Sequence, residues 1–137
     1  MPVLTLKVAP LQDVGRDQAL ARALTRITAE LLGKRAEVTV VAIEDLPAAR
    51  WFIGGSEPRR PTAFLEVNVT AGTNTPDEKA AFVAAAFAEL QRQLAPGGAL
   101  EEASYVVVRE VAATDWGYGG HTQRARQLAR TATAAGR

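Results

Sequence analysis

The residue with the clearest chemical potential in this sequence is Pro2, which directly precedes the alternating run VLTLKV. A strand tolerates proline at its first position because the missing N–H costs no ladder hydrogen bond there. If the initiator Met1 is removed, Pro2 also carries the α-amine, a secondary amine held at the end of a strand. Such an amine acts as a general base when its pKa lies near the operating pH. The surrounding elements must decide between these two roles.

Composition excludes several other kinds of site. The 137 residues include no cysteine and one histidine, His121, which excludes disulfides, thiolate metal sites and cysteine nucleophiles and argues against a histidine metal site. A formal net charge of +1 favours neither nucleic acid nor a membrane surface. We therefore expect no metal. The lack of cysteine fits the cytoplasm, and an N-terminal run containing Lys7 is typical of a strand rather than a signal peptide.

Hydrophobic periodicity predicts the elements that must position Pro2. Alternation over residues 3–8 predicts a strand, and the β-branched run over residues 38–46 predicts a second one. Between them lies a helix that Gly33 would end, since glycine tolerates the left-handed conformation. The apolar stripe of this helix consists of Leu20, Leu24, Ile27 and Leu31.

The second half of the chain repeats this order. Strands are predicted over residues 63–69 and 104–111, with a helix between them. Its start is well defined, because Thr75 can cap it, Pro76 suits the first helical position and Glu78 completes a capping box. Its predicted apolar stripe consists of Val83, Phe87, Leu90 and Leu94.

An ungapped match supports a tandem duplication. The segment TVVAIEDLPAARWFIGGS, from Thr39, lies over SYVVVREVAATDWGYGGH, from Ser104, and in both a tryptophan (Trp51, Trp116) is followed three residues later by Gly-Gly. Each half is therefore interpreted as one βαβ unit with parallel strands.

These observations predict an α+β fold, in which two βαβ units form a four-stranded mixed sheet with both helices on one face. We expect a single domain over residues 1–137, with repeats over 2–56 and 62–121 and a basic tail over 122–137. The tail holds four arginines and no acid, which is typical of a solvated helix or frayed end, with packing in an assembly as the alternative. It lacks the interleaved aromatics that would favour nucleic-acid binding.

A βαβ unit that begins Met-Pro and ends Trp-x-x-Gly-Gly resembles the tautomerase superfamily, which includes 4-oxalocrotonate tautomerase and macrophage migration inhibitory factor. The resemblance covers about residues 2 to 120, including the junction FIGGSEP. It implies the fused tandem form of the family's fold, assembled as a homotrimer. It also implies a cofactor-independent keto–enol isomerase that acts on a small 2-oxo or enol acid, with Pro2 as general acid and base.

The duplication predicts one active site per chain. Alignment of the strands places Ala63 at the position equivalent to Pro2. Ala63 lies within the chain and has no free amine, and the nearby Pro61 is internal as well.

The resemblance also implies which residues surround the proline. The two arginines of 4-oxalocrotonate tautomerase fall on Gln12 and Val40 in the first repeat, so neither is retained. The inhibitory-factor branch matches better. It implies a substrate-binding role for Lys34 after the first helix, a catalytic role for Tyr105 against a neighbouring subunit's proline, and a pocket-lining role for Val67.

Two further residues are candidates for substrate binding. Arg109 shares a strand face with Tyr105, because side chains alternate along a strand, and would bring a guanidinium to a carboxylate or enolate oxygen. Its alternative is a surface ion pair, and that of Lys34 is a cation at a helix C-terminus. Trp116 matches the family's aromatic residue beside the proline, with subunit packing as its alternative.

Two other functions remain open from the sequence. One is a decarboxylase or a hydratase/dehalogenase of the same superfamily, which would need additional polar groups to activate water. The other is a trimeric binding protein with a vestigial pocket, which the loss of both family arginines would allow.

Overall fold

A computed structural model describes residues 2–9 and 14–135, and its centre is one four-stranded mixed sheet. The strands are β1 (Val3–Ala9), β2 (Val40–Asp45), β3 (Thr62–Thr70) and β4 (Tyr105–Val111). Their spatial order is β2-β1-β3-β4. Strand β1 is parallel to β2, β3 is parallel to β4, and β1 and β3 pair antiparallel in the middle.

Two long helices cover one face of this sheet and confirm the predicted α+β fold. They are α1 (Val14–Leu32) and α2 (Pro76–Leu94), which pack against each other. The core lies between them and the sheet, because alternate side chains of β1 and β3 point toward the helices. Its fully buried members include Leu4, Leu6, Leu20, Leu24, Leu65, Val67, Phe82 and Leu90.

The connection from α1 to β2 differs from the predicted one. Gly33 ends α1 with a φ of +66°, as expected of a residue without a Cβ. A 3₁₀ turn then occupies Ala36–Val38, so β2 begins at Val40 rather than at residue 38. The turn takes up the residues that β-branched composition alone had favoured as strand.

The start of α2 is confirmed in detail, whereas its apolar stripe was predicted in the wrong register. The Glu78 N–H donates to Thr75 Oγ1 at 3.1 Å, and the Thr75 N–H donates to Glu78 Oε1 at 2.7 Å. Leu90 and Leu94 are buried as predicted, but Phe82 and Ala86 are buried in place of Val83, which is 37% exposed, and Phe87, which is half-buried. Phe82 and Val83 are both apolar, but only one of two adjacent residues faces the core at that turn. The buried residues are those four and eight positions before Leu90, because they lie on the same side of the helix.

The strand register defines two ends of the sheet. Val3 pairs with Val40 and with Asn68, and Asn68 pairs with Arg109. We call this side the Pro2 end; it holds the starts of β1 and β2 and the final residues of β3 and β4. The opposite side, where β3 and β4 begin, is the Ala63 end.

A third helix follows β4. Short strands β5 (Gly117–Tyr118) and β6 (His121–Thr122) form a hairpin that leads into α3 (Gln123–Ala135). Gly117 fits there because a Cβ at this position would lie 1.9 Å from the His121 carbonyl oxygen. Within the described residues, no helix combines the length and apolar character needed to cross a membrane.

Candidate functional site

Pro2 lies buried at the beginning of β1. Its carbonyl oxygen accepts a hydrogen bond from the Val40 N–H at 3.2 Å, which fixes it against β2. Because Val3 pairs with Val40 and Asn68, Pro2 is level with Thr39 on one side and Val69 on the other. The hydrogen bond to Val40 and the pairing of the next residue, Val3, on both sides therefore fix the position of Pro2.

Lys34 lies at the same end of the sheet, directly after α1. Its Nζ donates to Thr73 Oγ1 at 2.8 Å, and Thr73 Oγ1 donates to the Thr70 carbonyl at 2.6 Å. Partial burial lowers the pKa of the Lys34 ammonium below its ordinary value, and the negative charge of Glu78 opposes this shift. Lys34 is thus a fixed, partly desolvated cation at the Pro2 end.

A partly enclosed cavity of about 160 Å³ surrounds Lys34. Its polar lining comes from three separate segments and comprises Lys34, Arg35, Thr70, Thr73, Gln123, Gln127 and Arg130. Helix α3 therefore supplies one wall, which the sequence analysis missed by treating residues 122–137 as a tail. The sequence does hold a signal, because Gln123, Gln127 and Arg130 recur at helical spacing.

Arg109 reaches the Pro2 end of the sheet but engages a neighbouring acid. It lies on the face opposite the helices, beside Asn68, and its Nη2 is 3.0 Å from Glu66 Oε1. This ion pair is the alternative that the sequence left open for Arg109.

Tyr105 lies at the Ala63 end of the sheet, far from Pro2 of the same chain. It is 64% exposed, and its strand neighbour is Phe64. One chain alone therefore does not bring Pro2 and Tyr105 together, and Tyr105 can meet only the proline of another subunit.

Val67 and Trp116 have other surroundings. Val67 is 0% exposed within the core, next to Leu4 on β1, so it offers no surface to a pocket of this chain. Trp116 lines a different cavity of about 290 Å³ with Asp115 and His121. Its indole Nε1 is buried and has no hydrogen-bond partner among the described residues.

Two remaining expectations concern metals and the arginine positions of 4-oxalocrotonate tautomerase. Within residues 2–9 and 14–135, no three His, Asp or Glu side chains are grouped so that they could hold a metal ion. Gln12 lies outside the described residues, and Val40, the other arginine position, is exposed on β2.

The comparisons with known proteins agree with this architecture. A family model described as tautomerase enzyme matches residues 2–59. The native fused 4-OT crystal structure is 28% identical with a TM-score of 0.74, and the match covers 90% of this chain and 97% of that one. The family-model match over residues 2–59 and the structural matches over 90% of the chain support the tautomerase superfamily.

Two further structures extend the comparison. A wild-type fused 4-OT asymmetric trimer is 27% identical, with a TM-score of 0.76 and coverage of 90% of this chain and 98% of that one. The macrophage migration inhibitory factor of Toxoplasma gondii is 20% identical, with a TM-score of 0.70 and coverage of 88% and 98%, and shares the fold. No curated protein sequence matches.

Proposed function

We propose that this superfamily member is a cofactor-independent keto–enol tautomerase that acts on a small 2-oxo or enol acid. Pro2 would be the general acid and base once Met1 is removed. The observation that carries the proposal is the buried position of Pro2 at the start of β1, held by the Val40 N–H, in a chain of the tautomerase superfamily. Burial and the nearby Lys34 cation both disfavour the ammonium form and so favour a neutral base.

The proposed reaction is a proton relay through the Pro2 nitrogen. In ketonisation, the neutral amine accepts the hydroxyl proton of the enol, and the C–O bond becomes a carbonyl. The electron pair of the C=C bond takes a proton from the resulting ammonium at carbon. The amine ends neutral, so the cycle needs no other reactant. Proton transfer by a positioned group typically contributes a factor of about 10² to 10⁴ in rate.

The proposal assigns the other candidates by location. Lys34, at the same end of the sheet, would bind the substrate carboxylate or stabilise the enolate oxygen. Tyr105 would complete the site of a neighbouring subunit, since it lies at the opposite end of its own sheet. A homotrimer supplies such a neighbour, and trimers of fused 4-OT are among the similar structures.

The test measures intact mass and turnover on the same purified protein. A mass lacking Met1 is expected, together with ketonisation of phenylenolpyruvate or 2-hydroxymuconate. In Pro2→Ala, which retains a primary amine, we expect kcat to fall about 100-fold or more. Pro61→Ala is the matched control, because Pro61 is a proline at the other end of the sheet, and its kcat should be unchanged.

Two results would overturn this function. One is an active protein that retains Met1, because Pro2 would then be an internal amide without a basic nitrogen. The other is equal kcat for wild type and Pro2→Ala. A protein that forms trimers but ketonises neither substrate would support a binding role in place of catalysis.

A further inference from the structure

The cavity around Lys34 carries an excess of positive charge. Three cationic side chains line it, Lys34, Arg35 and Arg130, and no acidic side chain does. Arg35 is compensated by Glu37, with Nε 2.9 Å from Oε1. Within the part of the chain that the structure describes, neither Lys34 nor Arg130 forms an ion pair.

The remaining lining also suits an anion. Gln127 brings a side-chain amide, and Thr73 a hydroxyl that already contacts the Lys34 ammonium. The volume of about 160 Å³ exceeds what one water molecule needs. A planar guanidinium such as that of Arg130 matches the two oxygens of a carboxylate.

The cavity adjoins the strand end that carries Pro2. Thr70, one of its lining residues, follows Val69 on β3, and Val69 is level with Pro2 in the antiparallel register. Lys34 is hydrogen-bonded to Thr73, which in turn is bonded to Thr70. A molecule with its carboxylate in this cavity would therefore extend toward the proline.

We infer that Arg130 of α3 and Lys34 together form a carboxylate-binding site, so that the C-terminal helix selects anionic substrates for the Pro2 centre. This inference rests on the proposed function, because the selected molecule is the substrate of that reaction. Arg130 is the new assignment: a substrate-binding residue that α3 supplies to the Pro2 end of the sheet.

Kinetics of two substrates that differ by one charge test this assignment. In Arg130→Gln, we expect KM for phenylenolpyruvate to rise about tenfold with kcat unchanged, whereas KM for its methyl ester stays the same. The arginine side chain is exposed overall, which places the effect near the lower limit for charged hydrogen bonds. Arg130→Lys, which keeps the charge, should recover part of the affinity.

Arg124→Gln is the matched control. It removes the same charge from the same helix, but Arg124 is exposed and does not line the cavity. If Arg124→Gln and Arg130→Gln raise KM for phenylenolpyruvate equally, the effect comes from the general field of α3 and the assignment of Arg130 is wrong.

Binding without turnover separates this inference from the proposed function. Phenylacetate, with phenylacetamide as its neutral analogue, is titrated into Pro2→Ala protein by calorimetry. Binding of phenylacetate that is weakened about tenfold by Arg130→Gln supports the site even where catalysis is absent. Equal affinity for the acid and the amide would overturn it, whatever Pro2→Ala does to turnover.

Discussion

The two ends of the sheet are built on the same framework but use it differently. At the Ala63 end, the N–H of Ala63 donates to Ser104 Oγ at 3.0 Å, and the Ser104 and Thr62 hydroxyls are 3.2 Å apart, all of them buried. At the Pro2 end, Thr39 corresponds to Ser104, but its hydroxyl donates to the Arg35 carbonyl at 2.7 Å. The Ser104 hydroxyl therefore bonds to the residue equivalent to Pro2, whereas the Thr39 hydroxyl bonds to the segment after α1 and not to Pro2.

The cavities at the two ends of the sheet also differ in charge. The cavity near the Ala63 end, of about 430 Å³, is lined by both acids and arginines; these are Glu57, Glu101, Glu102, Arg59 and Arg60. The cavity at the Pro2 end is lined by cations without acids. The difference teaches that the two βαβ units share a fold although the cavities at their two ends differ in charge.

Exchanging proline and alanine between positions 2 and 63 is the strongest test of the difference between the two ends of the sheet. In the double variant Pro2→Ala/Ala63→Pro, we expect kcat to remain about 100-fold or more below wild type, because a proline within the chain has no basic nitrogen. Ketonisation of phenylenolpyruvate measures the effect, with Pro2→Ala alone as control. Recovery of turnover in the double variant would show that the two ends are interchangeable.

Removing one hydroxyl from each end compares their structural roles. Ser104→Ala leaves the buried Ala63 N–H without its acceptor, so we expect a loss of about 1 to 3 kcal/mol in the free energy of unfolding. Thr39→Ala removes an exposed hydrogen bond and should change that free energy by no more than about 0.5 kcal/mol. Urea denaturation measures both, and equal losses would contradict a structural difference between the two ends.

The smallest effect concerns Glu78, whose negative charge acts on Lys34 at the Pro2 end. The hydrogen bond from the Thr75 N–H holds the pKa of Glu78 below its ordinary value. The folded protein therefore favours ionised Glu78, and this stability is present above about pH 4.5 and lost as the pH falls through the lowered pKa.

Glu78→Gln should accordingly unfold more readily than wild type in urea above pH 4.5, with the difference disappearing in acid. The same variant removes a negative charge that raises the pKa of Lys34, so that pKa should fall further, as NMR titration of Nζ would measure. A difference in unfolding free energy that persists in acid would mean that Glu78 stabilises the capping box through its hydrogen-bond geometry and not through its negative charge.

Local patterns predicted much of the fold. Hydrophobic periodicity and β-branched composition identified all four strands of the main sheet. The Thr75-Pro76-Glu78 sequence predicted the start of α2, because capping chemistry is decided by a few adjacent residues. The stripe of α2 was misplaced, since Phe82 and Val83 are both apolar and only packing against the sheet decides which is buried.

The candidate site was less predictable because it depends on contacts distant in sequence. Lys34 and Arg130 line one cavity although about a hundred residues separate them. The pairing of Arg109 with Glu66 likewise depends on the register of β3 against β4. Side-chain alternation places Arg109 on a face, but it does not reveal which acid stands beside it.

The antiparallel pairing of β1 with β3 has a consequence for how the halves could evolve. Were the two βαβ units separate molecules, this contact would weaken on dilution, whereas one chain holds the strands at a high effective concentration that does not depend on the amount of protein. Identical separate units would also carry the same residue at both ends of every pair. A joined chain allows Pro2 to stand at one end and Ala63 at the other without requiring two different molecules to associate.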